Sequence, residues 1–255
     1  MIKEMKQAYF KNENDYRNYV ILRIVADSKN PLGSWNLKEK LAEYDIEVSV
    51  ASIGRFLKIL DQRGYTELYK NQGRVISEAG LECLHAIEEE LNRFTIEKEF
   101  LEASKPKNQE ELLKLMHARI VIEVETARLA ALNATEENIK RIEHSFQEHC
   151  AHVSQNLQLT EVGCHFHELI AQASQNRFLS AALKLLIHEE IEMEKKFPFL
   201  KTNSQGEHYI KDHKEILEAI KSKDANQAMV IMESHMKKLI QAIEDSFKEV
   251  TKNNY

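Results

Sequence analysis

The stretch Val162–Asn176, VGCHFHELIAQASQN, carries the residues that indicate how the second half of this chain folds and which kind of site it contains. On a helix, residues three and four positions apart share a face, which places Cys164 and His167 close together. Two later segments with helical apolar spacing each carry one histidine, His213 and His235. Imidazole and thiolate groups are common ligands of zinc, and helical bundles build such sites from facing helices. The pattern therefore predicts a metal site in the core of a helical bundle.

The composition of the chain favours a mainly α-helical protein with two domains. At 255 residues the chain is long enough for two separate cores. Glycine and proline are scarce, with 7 and 3 residues, and five of the glycines precede residue 81. The region after residue 81 therefore has few helix-breaking residues and is expected to be mostly helix. Charged residues make up 30% of the chain and alternate in sign, which is typical of helices with solvated outer faces.

Cysteine usage and hydropathy predict a cytoplasmic protein. The three cysteines form no C-x-x-C pair, and their odd number argues against a disulfide framework. The first residues lack the apolar segment of a signal peptide, and no run of about 18 apolar residues could cross a membrane. The net charge of −6 excludes a global basic field for nucleic acid. Any contact with DNA must come from a local basic patch.

The first part of the chain has the element order of a winged helix-turn-helix. Apolar spacing predicts helices over about 16–30 and 34–44, and Ser49 caps a third helix over 49–63. Residues 65–76 read as a β-hairpin with a polar tip. In this architecture the third helix enters the major groove and the hairpin forms the wing. The segment Tyr19–Leu84 resembles the winged-helix domain of ribonuclease R type seen in NrpR-like regulators.

Local charge indicates which residues of this domain contact double-stranded DNA. Between Ser49 and Val75 there are five basic residues and two acidic residues, within a protein that is acidic as a whole. Contacts between basic residues and phosphates supply most of the nonspecific affinity for DNA. Small residues on the third helix allow it to lie deep in the major groove, and Arg55 can pair with guanine. The predicted DNA contacts are Ser49, Ala51, Ser52, Arg55, Lys58, Lys70, Gln72 and Arg74.

The second part of the chain reads as an all-helical bundle. Asn108 and Glu111 have the spacing that caps a helix start. Helices are predicted over about 109–132, 136–155, 159–174, 177–197, 205–222 and 225–249, with breaks at 197–200 and 202–204. The predicted division is a winged-helix domain with its connecting helix over 1–95, a linker over 96–107, and the bundle over 108–255.

Several short motifs in this bundle resemble one family. They are Gly163-Cys-His-Phe-His167 with Ala173-Ser-Gln-Asn176, Asp212-His213 with Ile216 and Ala219-Ile220, Asp224 with Ala228 and His235, and Arg119 with Glu123 followed by Leu129-Ala-Ala131. Together they resemble the FCD domain, the helical effector domain of FadR-type regulators in the GntR superfamily, over about 108–247. The resemblance implies a homodimeric, ligand-responsive DNA-binding regulator with a divalent metal, and no enzymatic activity.

The chain departs from this family at one metal position. Where the family has a ligating aspartate, this chain has Gly163, which has no side chain to coordinate an ion. Cys164 is the nearest substitute, although core packing explains this residue equally well. One cysteine with three histidines favours zinc. The predicted metal ligands are Cys164, His167, His213 and His235. The alternatives are a three-histidine site completed by water or an effector, and a site that has lost its metal.

Two residues are predicted to bind a small effector. Arg119 can pair with a carboxylate in bidentate fashion, although a salt bridge to Glu123 explains it nearly as well. Asn176 matches an asparagine beside the family's pocket, although capping of a helix C-terminus accounts for it equally well.

Two further functions stay open from the sequence. Asp212-His213 resembles the metal-binding pair of HD phosphohydrolases, but the sequence offers too few inward carboxylates, and the winged helix would be unexplained. A metal-free, effector-binding regulator is the other alternative.

Overall fold

The structure is a computed structural model that describes residues 9–155, 160–197 and 206–253. The chain divides into two compact units, one ending at Glu102 and the other beginning at Ala103. Each unit is described separately below. The mainly α-helical fold is confirmed, since the described residues form ten helices and a single two-stranded sheet. No helix among the described residues is both long enough and apolar enough to span a membrane.

The first unit contains three short helices, a hairpin and a long helix. In chain order these are α1 (Glu13–Ala26), α2 (Ser34–Ala42), α3 (Val50–Gln62), β1 (Thr66–Tyr69), β2 (Gly73–Ile76) and α4 (Glu78–Ala103). This is the predicted winged helix-turn-helix. Residues 96–103 of the predicted linker lie within α4.

Helix α3 begins and packs as its sequence dictates. The Ser49 side chain accepts a hydrogen bond from the backbone N–H of Ser52 at 3.2 Å, which satisfies one free donor at the helix start. Ile53, Leu57 and Leu60 are fully or almost fully buried and join the core of this unit. Because these apolar residues recur at helical spacing, the opposite face of α3 remains on the surface.

The wing is attached to the segment between α1 and α2. Lys70 and Asn71 have positive φ angles of 45° and 57° at the hairpin tip, as a tight hairpin turn requires. At Gly73, where φ is 147°, a Cβ atom would lie 2.6–2.8 Å from backbone atoms of Leu32. Backbone hydrogen bonds of 3.0 and 2.8 Å join Leu32 and Arg74. Glycine therefore allows the second strand to pair closely with this segment.

The second unit is a bundle of six helices. They are α5 (Gln109–Asn133), α6 (Glu136–Ser154), α7 (Thr160–Ala173), α8 (Arg177–Lys196), α9 (Gly206–Lys221) and α10 (Ala225–Asn253). The bounds agree closely with the predicted ones, except that α10 runs past the predicted end at 249. Of the predicted breaks at 197–200 and 202–204, only Phe197 is described, and it follows the last residue of α8.

Helix α5 starts at the predicted cap and forms the centre of the bundle. Asn108 accepts a hydrogen bond from the N–H of Glu111 at 3.0 Å, and the Glu111 carboxylate accepts one from the N–H of Lys107 at 2.8 Å. Helix α5 packs against α7, α8, α9 and α10. Its polar residues Arg119 and Glu123 are buried. These two side chains therefore extend into the interior, where α7 and α8 also meet α5.

Candidate functional site

Three histidines from three helices meet in the interior of the second unit. His167 on α7, His213 on α9 and His235 on α10 are each 3% exposed or less. The Nε2 atom of His235 lies 3.3 Å from that of His213 and 3.3 Å from that of His167. Two nitrogen ligands at 2.0–2.1 Å from a tetrahedral ion are about 3.3 Å apart. The spacing of the three imidazoles therefore fits a zinc-like ion.

Carboxylates contact the outward nitrogens of two of these histidines. The Nδ1 atom of His167 pairs with Oε2 of Glu123. The Nδ1 atom of His235 lies 3.2 Å from Oδ2 of Asp212, whose oxygens also accept hydrogen bonds from Lys238 at 2.8 Å. A carboxylate at Nδ1 keeps the proton on that nitrogen and leaves the Nε2 lone pair free. Both rings therefore present lone pairs to the common point.

The outward nitrogen of His213 contacts another histidine, which the sequence analysis missed. His149 on α6 is 2% exposed, and its Nδ1 atom lies 3.1 Å from Nδ1 of His213. His149 shares a helix face with the buried residues Ile142 and Ser145. That helical spacing is the sequence signal that could have placed His149 inside the bundle.

Burial favours the neutral form of three of these imidazoles, those of His149, His213 and His235. It lowers the pKa of His149 to about 4, and the neighbouring histidines add to this effect. Burial likewise lowers the pKa of His235 to about 4, although the hydrogen bond to Asp212 acts in the opposite direction. The pKa of His213 falls well below its ordinary value for the same reason. Neutral rings with converging lone pairs repel one another unless a cation lies between them.

Cys164 lies beside this cluster. Among the described residues, the possible ligand atoms that all lie within 4.8 Å of one another belong to the three histidines. Cys164 is buried and packs with Ala171, Leu183 and Ile187. Burial raises the pKa of its thiol to about 12, with a smaller opposing effect of Arg119. Without a cation beside it, the sulfur is therefore a neutral thiol in an apolar contact.

Arg119 lies between two buried carboxylates. Its Nη2 atom is 2.7 Å from Oε1 of Glu123, and its Nη1 atom pairs with Oε2 of Glu190 on α8. All three side chains are 5% exposed or less. Burial would raise the pKa of Glu123, but the charge of Arg119 and the contact with His167 lower it to about 2. An ionised network thus runs from the histidine cluster to α8.

A small cavity adjoins the histidines. It has a volume of about 40 Å³, which is room for about three water-sized groups. The Tyr209 hydroxyl is buried and has no hydrogen-bond partner among the described side chains. The cavity is lined by Arg119, His149, Gly163, Cys164, His167, Glu190, Glu194, Tyr209, His213, His235 and Leu239.

Asn176, which was predicted to contact an effector, is not among the residues that line this cavity. Its side-chain oxygen accepts hydrogen bonds from the N–H groups of Phe178 at 3.1 Å and Leu179 at 3.3 Å. Asn176 therefore caps the start of α8, whereas the sequence analysis had considered a cap at the end of a helix.

The predicted DNA contacts on α3 lie on its surface. Ser49, Ala51, Arg55 and Lys58 are exposed, and Ser52 is half-buried. The Nη2 atom of Arg55 donates a hydrogen bond to Oγ of Ser52 at 3.2 Å. Arg55 is thus held beside the start of α3, where recognition helices contact base edges.

Among the predicted wing contacts, two are exposed and one is engaged within the unit. Lys70 and Gln72 are exposed at the hairpin tip. Arg74 is half-buried, and its Nη2 atom lies 3.0 Å from Oδ2 of Asp61 at the end of α3. This ion pair joins the wing to α3. Of the three residues predicted to contact DNA from the wing, Lys70 and Gln72 are therefore the more accessible.

Comparisons with known proteins agree with both units. The FCD domain model matches residues 114–238, and the ribonuclease R winged-helix domain model matches residues 19–84. The HTH-type transcriptional regulator LutR of Bacillus subtilis (strain 168) is 26% identical over 216 residues, which cover 83% of this chain and 91% of LutR.

Two solved structures are also similar over most of the chain. Streptococcus agalactiae GntR is 17% identical, with 94% of this chain and 99% of that chain covered and a TM-score of 0.46. E. coli McbR/YncC is 14% identical, with 92% of this chain and 96% of that chain covered and a TM-score of 0.49.

A winged helix joined to an FCD domain, together with the similarity to LutR, defines the class of the protein. The FCD-domain match and the similarity to LutR support a transcription regulator of the GntR superfamily and of the FadR type, with an FCD effector-binding domain. The proteins and families that this chain resembles are transcription regulators and not enzymes. The phosphohydrolase alternative is therefore set aside. FCD domains often bind metals, and regulators of this family bind DNA operators and small-molecule effectors.

Proposed function

We propose that His167, His213 and His235 hold a divalent metal ion, with zinc as the first candidate, and that the ion anchors a small effector. The observation that carries the proposal is the convergence of three buried imidazoles. Nε2 of His235 lies 3.3 Å from that of each of the other two, which is about the spacing of tetrahedral ligands, and the three ligand atoms all lie within 4.8 Å of one another. Three imidazoles also suit copper, nickel and iron ions. A metal bound by three protein ligands would keep one position for water or an effector atom.

The cavity supports a small oxygen-bearing effector, such as a short carboxylate. Its volume admits only a few heavy atoms beside the ion. Burial raises the pKa of Tyr209 to about 12, so its hydroxyl keeps its proton and can donate a hydrogen bond to an effector oxygen. Arg119 already pairs with Glu123 and Glu190. We therefore propose that a carboxylate attaches mainly through the metal and Tyr209, with Arg119 as a contact at its edge.

Effector binding would be linked to operator binding in a cytoplasmic homodimer. In such a dimer two winged helices read two half-sites, so a change in their spacing changes the affinity for DNA. A coupling free energy of about 1–3 kcal/mol between effector and operator would alter operator affinity by roughly 5–150-fold. The test is operator binding by the full chain with metal, after chelation, and after metal is restored.

Arg55→Ala should weaken binding to an operator selected from random-sequence DNA with the wild-type protein. A base contact of this kind contributes about 1–3 kcal/mol, so the dissociation constant should rise by roughly 5–150-fold. Metal content should stay unchanged, because Arg55 lies in the other unit. Fluorescence anisotropy at several salt concentrations gives the affinity.

The control for this prediction is Arg128→Ala, which removes an arginine from α5 in the second unit. It should leave operator affinity near that of wild type. Equal losses of operator binding in both variants, or a loss of metal in Arg55→Ala, would argue against a separate DNA-reading surface on α3.

Cys164→Ser tests the predicted fourth ligand. We expect elemental analysis to find the same metal content as in wild type, because the three histidines form the compact group and Cys164 packs against apolar residues. Loss of the metal in this variant would establish the thiolate as a ligand. Absence of metal from both proteins would favour the metal-free regulator, with the histidines as polar lining of an organic-ligand cavity.

A further inference from the structure

Of the three histidines, His213 has a different kind of partner at its Nδ1 atom. Glu123 and Asp212 are carboxylates, and each pairs with an Nδ1 atom of one histidine. The partner of His213 is instead the imidazole of His149. A ring nitrogen accepts a hydrogen bond only when it carries no proton. The contact therefore requires that one of the two Nδ1 atoms carries a proton and that the other does not.

The tautomers follow from the requirement that Nε2 of His213 be free to coordinate. The proton of His213 must then be on Nδ1, and Nδ1 of His149 must accept it, which places the His149 proton on Nε2. The 3.1 Å separation of the two Nδ1 atoms is suitable for this hydrogen bond. The His213 ring is also stacked on Phe166, with centroids 4.2 Å apart and an interplanar angle of 11°. The ring is thus held in its plane by Phe166 and in its tautomer by His149.

Space for the His149 ring comes from α7. A Cβ atom at Gly163 would lie 3.7 Å from Cε1 of His149, which is an ordinary van der Waals contact. Alanine would therefore fit at this position. A longer side chain would extend beyond that Cβ, towards the volume that the imidazole occupies. The absence of a side chain at Gly163 and the presence of His149 are thus complementary features of neighbouring helices.

We propose that His149 is a positioning residue that accepts the Nδ1 proton of His213 and so directs Nε2 of His213 at the metal, in space provided by Gly163. This inference rests on the proposed metal site. It assigns to α6 a role in metal binding that requires no direct coordination. Outer partners of this kind typically affect metal affinity by 10–100-fold when they are removed.

Two substitutions of His149 test the role of its hydrogen-bond acceptor separately from that of the rest of the ring. In His149→Asn the side-chain Oδ1 atom occupies the place of Nδ1, so the acceptor is kept while Nε2 is lost. In His149→Leu the volume near Cγ is retained and the acceptor is lost. Zn²⁺ affinity of the full chain is measured by competition with a chelator, and the coordination geometry by the visible absorption of the Co²⁺ form.

We expect His149→Leu to weaken Zn²⁺ binding by about 10–100-fold and His149→Asn to restore most of the affinity. The Co²⁺ spectrum should keep its shape in both variants, because the coordinating atoms are unchanged. Gly163→Ala should bind Zn²⁺ as wild type does, whereas Gly163→Leu should lose affinity as His149→Leu does. Circular dichroism and thermal melts of the apo proteins check that each variant is folded.

Other outcomes would overturn the inference. Equal losses in the Asn and Leu variants with an altered Co²⁺ spectrum would make His149 a metal ligand itself. Unchanged affinity in both would leave His149 without a role in metal binding. The proposed metal site fails in a distinguishable way, since neither wild type nor any variant would then bind Zn²⁺ or Co²⁺ at a defined stoichiometry.

Discussion

His235→Ala should remove the metal from the purified chain, from about one ion per chain to none. The Nε2 atom of His235 is the one that lies 3.3 Å from each of the other two, so its loss leaves only two ligands. The variant should also leave Asp212 without its imidazole partner. Elemental analysis after gel filtration measures the stoichiometry.

The melting temperature provides a second measure of metal binding by wild type and His235→Ala. An ion that binds only the folded chain stabilises it by about 4 kcal/mol when its free concentration is 1,000 times the dissociation constant. Added Zn²⁺ should therefore raise the melting temperature of wild type and leave that of His235→Ala unchanged.

His165→Ala is the matched control, since this histidine lies on α7 two residues from His167 and is exposed. It should keep its metal and its melting temperature. A His235→Ala protein that retains a full complement of metal would refute the site as described.

Arg119→Met should cause the largest loss of stability. The substitution keeps an unbranched apolar chain but leaves Glu123 and Glu190 buried without their shared cation. Breaking a buried ion pair by removal of one partner costs about 3–5 kcal/mol. For a unit of this size the melting temperature should fall by roughly 6–20 °C. Urea unfolding gives the corresponding change in the free energy of unfolding.

Arg128→Met is the control for this prediction. Arg128 lies on the same helix and pairs with Glu125 at 2.7 Å, but both side chains are about one-third exposed or more. Such a surface pair contributes about 0–1 kcal/mol. Comparable losses in the two variants would mean that the Arg119 network is no more important than a surface pair. A stable Arg119→Met protein that fails to respond to carboxylates would instead favour an effector-binding role for Arg119.

Much of the fold was predictable because its signals are local. The capping residues Ser49 and Asn108 define helix starts, and the apolar spacing of Ile53, Leu57 and Leu60 defines a buried face. The same kind of pattern located His213 and His235 on the inner faces of their helices. The fold class and the winged helix were confirmed for this reason.

The partners of the site residues were less predictable, because they come from different helices. The pairing of Arg119 with Glu190 joins positions on α5 and α8, and no spacing within one helix reveals it. The contact between His149 and His213 joins positions 64 residues apart. For Asn176 the sequence offered an effector contact or a cap at the end of a helix, and the structure shows that it caps the start of α8.

The distribution of the three histidines along the chain has a consequence for how the bundle assembles. His213 and His235 are 22 residues apart, and His167 and His235 are 68 residues apart. A nascent or partly unfolded chain therefore presents no pair of these ligands on one helix. High-affinity capture of the ion must await the docking of α9 and α10 onto α7. Uptake of the proposed ion would then be a late step in folding that closes α9 and α10 onto the rest of the bundle. Slow exchange of backbone amides in α10 would begin only after that step.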